Sequence, residues 1–131
     1  MPIRFFVDET DLALGRALRE TNPEVVYPGH PDLPEVPRGS LDDVWLPMIG
    51  QKRLVVITRD KHIRHRAVEK NRWLAFGVRG FVLTGRRSQS TQDSLALLER
   101  WWGTVEGWVA ERPDGPWMYS VTSNGVREIE L

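Results

Sequence analysis

The stretch Leu54-Val55-Val56-Ile57-Thr58-Arg59-Asp60 decides the fold. Its apolar residues run without polar interruption and three are β-branched, the pattern of a strand covered on both faces in the middle of a parallel sheet. Upstream, Ile3-Arg4-Phe5-Phe6-Val7 reads as a short buried strand. Leu12, Leu14, Ala17 and Leu18 then make a helix with Thr10 as its cap. Val25-Val26-Tyr27 reads as another short strand, followed by a loop, 28–39, with four prolines and two glycines. A loop of that length in a small domain is functional or mobile. Ser40 opens a second helix, with Leu41, Val44, Trp45, Met48 and Ile49 at helical spacing. Pro47 conflicts with that stripe and predicts a kink or break near Leu46.

Downstream of the central strand comes a basic stretch, 59–72, and then a strand over 78–83 with Gly80 in its middle. From Ser90 a long helix sets Leu95, Leu98, Trp101, Trp102, Val105 and Val109 on one side. Tyr119 to Thr122, a turn at Asn124-Gly125, and Val126 to Leu131 predict a β-hairpin. Strands alternating with helices give an α/β class with a mostly parallel sheet. The 131 residues are expected to form one domain, 1–131, with a C-terminal helix and hairpin over about 90–131.

The composition excludes several functions. With no cysteine there is no disulfide scaffold, thiolate metal site or cysteine nucleophile, which agrees with a cytoplasmic location. No apolar run approaches the roughly 20 residues of a membrane span, and Met1-Pro2-Ile3-Arg4 does not open a signal peptide. Net charge is zero, yet residues 1–50 hold nine acids against four bases, 51–90 two against eleven, and 91–131 seven against three. A globally basic nucleic-acid binder is therefore excluded, while a basic surface beside an acidic cluster is not.

Ligands of α/β sheets bind beyond the carboxyl ends of the strands, where Asp8 and Asp60 fall. If their strands are parallel neighbours, the two carboxylates share one edge, about 5 Å apart at the backbone. Such a pair repels itself unless a cation joins it, and oxygen ligands alone suit Mg²⁺ or Mn²⁺ better than zinc. The bland reading is that each acid caps the helix after it. Asp42 and Asp43 offer a third acid. Asp43 has capping-box spacing from Ser40, which leaves Asp42 as the preferred ligand. Glu9 either ligates, directly or through water, or faces solvent. Arg59, Lys61, Arg64 and Arg66 put bases beside Asp60, as expected where a phosphodiester is held and cut, although a charge run by itself is an ordinary solvated face. His62, His65 and Glu69 lack the spacing of a helical zinc site, and no G-x-S-x-G elbow is present.

Phe6-Val7-Asp8-Glu9, Leu41-Asp42-Asp43-Val44-Trp45-Leu46 and Val56-Ile57-Thr58-Arg59-Asp60-Lys61-His62-Ile63 together resemble the PIN-like nuclease domains, in particular a short group with an opening Asp-Glu and an Ile-Thr-Arg-Asp-Lys signature. The likeness covers about residues 3–83. It implies a three-layer α/β/α fold, three or four acids binding Mg²⁺ or Mn²⁺, and cleavage of single-stranded RNA. It also implies a toxin of a bacterial toxin-antitoxin pair, blocked by a small antitoxin protein and often dimeric. Carried over, the acids are Asp8, Asp42 or Asp43, and Asp60, with Glu9 or Glu69 standing in for a fourth.

The resulting expectation is a metal-dependent ribonuclease in which Asp8, Asp42 and Asp60 hold the ion and Lys61, Arg64 and Arg66 hold phosphates. The alternative is a non-catalytic PIN-like module that binds RNA or protein through the same basic strip. Salt-dependent RNA binding without divalent-dependent cleavage separates the two.

Overall fold

The computed structural model describes residues 2–59, 67–84 and 90–131, and its elements follow the alternation read from the sequence. In chain order they are β1 (Phe5–Val7), a 3-10 turn (Glu9–Asp11), α1 (Leu12–Thr21), β2 (Val25–Val26), α2 (Asp42–Lys52) and β3 (Val55–Thr58). Then come α3 (Ala67–Phe76), β4 (Arg79–Leu83), α4 (Thr91–Glu111), β5 (Trp117–Thr122) and β6 (Gly125–Ile129).

The strands form one six-stranded sheet in the order β2-β1-β3-β4-β5-β6. All pairings are parallel except the β5–β6 hairpin. β3 lies inside the sheet and all four of its residues are buried, as its unbroken apolar run requires. Because successive side chains along a strand point to opposite faces, the sequence Phe5-Phe6-Val7 feeds two cores. Phe5, Val7, Val55 and Ile57 pack toward α1 and α4. Phe6 and Val56 pack toward Trp45 and Ile49 of α2 and Trp73 of α3. The result is an α/β/α sandwich, with α1 against α4 on one side and α2 against α3 on the other.

Trp45, Trp73 and Trp117 are fully buried, and losing a buried aromatic of this size costs about 3–5 kcal/mol. Gly80 is in β4 for room: a Cβ there would lie 2.7 Å from the Val56 carbonyl oxygen and 2.8 Å from the Trp73 ring. The same space lets Trp73 reach across the strand, where its Nε1 donates to the Trp117 carbonyl at 2.9 Å.

Several local expectations change. α1 is capped by Asp11, whose side chain accepts from Leu14 N, and the expected cap, Thr10, falls inside the preceding 3-10 turn. α2 runs unbroken through Pro47. The proline removes one hydrogen bond, but Trp45, Leu46 and Ile49 are buried on both sides of it and hold the helix to the sheet. Leu41 and Val44 are 70% and 47% exposed, so the buried face of α2 is narrower than the apolar stripe. The hairpin turn is Ser123-Asn124, because Thr122 pairs directly with Gly125 at φ 138°. The 28–41 loop is packed down. Leu33 and Val36 join the α2–α3 core, while ion pairs Arg19–Asp32 and Lys52–Glu35 tie the loop to α1 and α2.

Candidate functional site

The parallel strands β1 and β3 leave the sheet side by side, with Val7 opposite Ile57. Asp8 continues β1 in an extended conformation, φ −74° and ψ 174°. Its side chain therefore follows Phe6 onto the α2–α3 face, and it is only 3% exposed. The residue facing it is Thr58, whose Oγ1 donates to Asp8 Oδ2 at 2.9 Å. The strands are thus neighbours as expected, but the register puts Thr58 opposite Asp8, and Asp60 is two residues further along the chain.

α2 enters β3 at the opposite edge of the sheet. An 11-residue helix rises about 16 Å, more than the length of a four-residue strand, so the start of α2 returns to the edge that carries Asp8. Glu9 makes this placement concrete: the Gly39 backbone N–H lies 2.7 Å from each oxygen of its carboxylate. Glu9 is thereby a tie between the exit of β1 and the segment that leads into α2.

At the start of α2 the capping box expected of Ser40 and Asp43 does not form, and a structural bond falls to Asp42. The N-cap is Leu41, with no side-chain cap, and the Ser40 hydroxyl donates to the Pro37 carbonyl at 2.6 Å. Asp42 has the structural task, accepting the Trp45 Nε1–H at 2.9 Å. Asp43 is exposed and has no side-chain hydrogen bond or ion pair among the described residues. Both acids still suit the positive end of the helix dipole.

Two residues escaped the sequence reading. Thr58 becomes visible only when the β1–β3 register is known. Asp11 left a faint signal in its spacing, three residues before Leu14, which is that of an N-cap. It is 8% exposed, and its Oδ2 lies 2.7 Å from Arg59 Nη1. Arg59, expected at the RNA backbone, has its guanidinium on this carboxylate. Glu69, the possible extra acid, stands in the first turn of α3 with Oε2 buried 3.6 Å from Arg72 Nη1. Asp60, Lys61, Arg64 and Arg66, together with His62 and His65, lie outside the described residues.

Among the described residues no three of His, Cys, Asp or Glu come together closely enough to hold a metal ion. In donor chemistry they nevertheless fit a hard divalent cation. The buried Asp8 carboxylate is an oxygen donor at the sheet edge and Asp43 is a second carboxylate at the helix that returns to that edge. No described helix is long and apolar enough to cross a membrane.

Compared with known families, the chain matches a family model described as a PIN like domain over residues 3–85, more than half its length and the span that carries β1 to β4. Neither the curated proteins nor the solved structures include a match.

Proposed function

The chain belongs to the PIN-like domain family, and on that premise we propose that it is a divalent-cation-dependent endoribonuclease acting on single-stranded RNA. The observation that carries the reading is the Asp8 carboxylate, buried at the exit edge of a parallel sheet, where the Thr58 hydroxyl donates to it. Burying a carboxylate is costly unless hydrogen bonds or a cation compensate it. Asp8, Asp60 and one of Asp42 and Asp43 would hold Mg²⁺ or Mn²⁺, with Asp43 favoured by its exposed carboxylate; Glu9 is set to the tie with Gly39. A cation there supplies charge stabilisation to a phosphodiester and a more acidic water. Thr58 orients the Asp8 carboxylate, and Lys61, Arg64 and Arg66 are assigned to the phosphates of the strand. The finer reading as a toxin, blocked by a small antitoxin protein and assembled as a homodimer, rests on the family resemblance.

The test is cleavage of a mixed single-stranded RNA in Mn²⁺, with and without chelator, by the wild-type chain and Asp8→Asn. Cleavage that needs the ion and disappears in a folded Asp8→Asn variant is the expected result. Salt-dependent RNA binding with no divalent-dependent cleavage would instead establish the non-catalytic module.

A further inference from the structure

The stretch 1–50 holds four bases, and the structure divides them into two pairs. Arg4 is bonded to Glu24 and Glu106, and Arg19 to Asp32. Arg16 and Arg38 are exposed and have no ion pair among the described residues. The acids around Arg38 are engaged elsewhere: Asp32 with Arg19, Glu35 with Lys52, and Glu9 with the Gly39 N–H. Arg16 stands four residues before Glu20, the spacing of a helical ion pair, yet its guanidinium lies 6.0 Å from the centroid of the Tyr27 ring.

Contacts on either side of Asp8 place both cations at its edge of the sheet. A Cβ on Gly15 would lie 3.1 Å from Tyr27 Cβ and 3.3 Å from Val7 Cβ, so Tyr27, with Arg16 over it, stands beside the residue before Asp8. Arg38 immediately precedes Gly39, whose N–H holds Glu9, the residue after Asp8. The Arg38 stem crosses the backbone of Gly29, two residues past Tyr27, where a Cβ would meet Arg38 Cγ at 2.7 Å. The two arginines therefore share the corner where the edge strand β2 leaves the sheet, parallel to β1. An edge of carboxylates repels a polyanion, and cations beside it offset that repulsion. Guanidinium groups free of carboxylates keep their N–H donors for phosphate oxygens.

We propose that Arg16 and Arg38 bind the phosphate backbone of single-stranded RNA, so that the strand crosses the β2 corner on its way over Asp8. The proposal rests on the RNA-acting reading above. It adds two contacts from the acidic part of the chain to a strand whose other cations were sought only after β3.

The experiment measures binding of a mixed single-stranded RNA in Ca²⁺ over a range of salt, with the wild-type chain, Arg16→Gln, Arg38→Gln and the double variant. Glutamine keeps part of each stem and is a good helix former on α1. Arg127→Gln is the control, because Arg127 is also exposed and without an ion pair among the described residues but lies on β6, at the other end of the sheet. Each lost phosphate contact should flatten log affinity against log salt by roughly 0.7 for a single strand, so about 0.7 is expected in each single variant and about 1.4 in the double. The loss should be equal for RNAs of different sequence, since phosphate contacts carry no base information. Arg127→Gln should keep the wild-type slope. Should Arg38→Gln fail to fold, Arg16→Gln decides on the same slope. A wild-type slope in the folded variants, or equal flattening in Arg127→Gln, overturns the corner contacts alone; no RNA binding by the wild-type chain overturns the nuclease reading with them.

Discussion

The Thr58 hydroxyl donates to Asp8 Oδ2 at 2.9 Å, joining the exit ends of β1 and β3 between two residues that are 1% and 3% exposed. A hydroxyl at the last position of a central strand has no packing advantage over valine. Its value is electrical, as a donor aimed at a buried carboxylate.

Thr58→Val keeps the shape and removes that donor. A bond to a charged group that is lost while the partner stays buried costs about 1–3 kcal/mol, and Thr58→Ser should recover most of it. Urea melts without divalent ion check this. Equal midpoints for threonine and valine would show that the bond contributes nothing.

The two acids at the start of α2 should separate by stability. Asp42→Ala deprives the Trp45 Nε1–H of its acceptor and should cost about 1–3 kcal/mol, while Asp42→Asn can keep the bond. Asp43→Ala, at an exposed position, should stay within about 0.5 kcal/mol of the wild type and yet lose Mn²⁺-dependent cleavage. Thermal melts and cleavage assays on both variants decide, and full activity in Asp43→Ala would return the ligand role to Asp42.

Glu9→Ala should release the loop that leads into α2. The carboxylate is what the Gly39 N–H donates to, so in the variant the Gly39 amide should exchange with solvent roughly tenfold faster, equivalent to about 1.4 kcal/mol. Glu9→Gln, which keeps an acceptor oxygen, should exchange at an intermediate rate. Hydrogen exchange read at Gly39 is the measurement, and unaltered protection in Glu9→Ala would show that the loop is held by Leu33, Val36 and the ion pairs of Asp32 and Glu35 without Glu9.

The same loop carries a pH response. The hydrogen bond from Lys52 holds the Glu35 carboxyl below its ordinary value of 4.5, with a backbone hydrogen bond as the second cause. A depressed carboxyl stabilises the fold above its ordinary pKa, and that contribution disappears as pH falls through the lowered folded value. Titrating the Glu35 carboxyl carbon by NMR should show the depressed midpoint, and Lys52→Met should move it back up. A midpoint that ignores the substitution would assign the shift to the backbone bond.

Local chemistry along the chain was enough for the class of fold. Val55-Val56-Ile57 had to be covered on both faces because no alternation offers water a side, and Asn124-Gly125 marked a hairpin to within one residue. Asp8 was legible as an edge acid because it follows a strand, and strand ends are where α/β sheets expose their chemistry; Asp60, read the same way, lies outside the described residues. What remained hidden depends on which strand lies beside which, and at what offset. The pairing of Val7 with Ile57 brings Thr58 to Asp8, a residue 50 positions away, and no periodicity encodes that offset. Asp11 and Arg59 meet for the same reason, across 48 positions. Spacing from Ser40 favoured Asp43 as the capping acid, but the buried indole of Trp45 claimed Asp42. Pro47 stays helical because burial on both sides outweighs one lost backbone bond. The sequence thus determined the elements and the acids at their ends, through propensity and patterning that act within a few residues. Only the tertiary structure decided which acid holds which neighbour, because hydrogen bonds and ion pairs depend on distances through space, and the register of the sheet sets those distances.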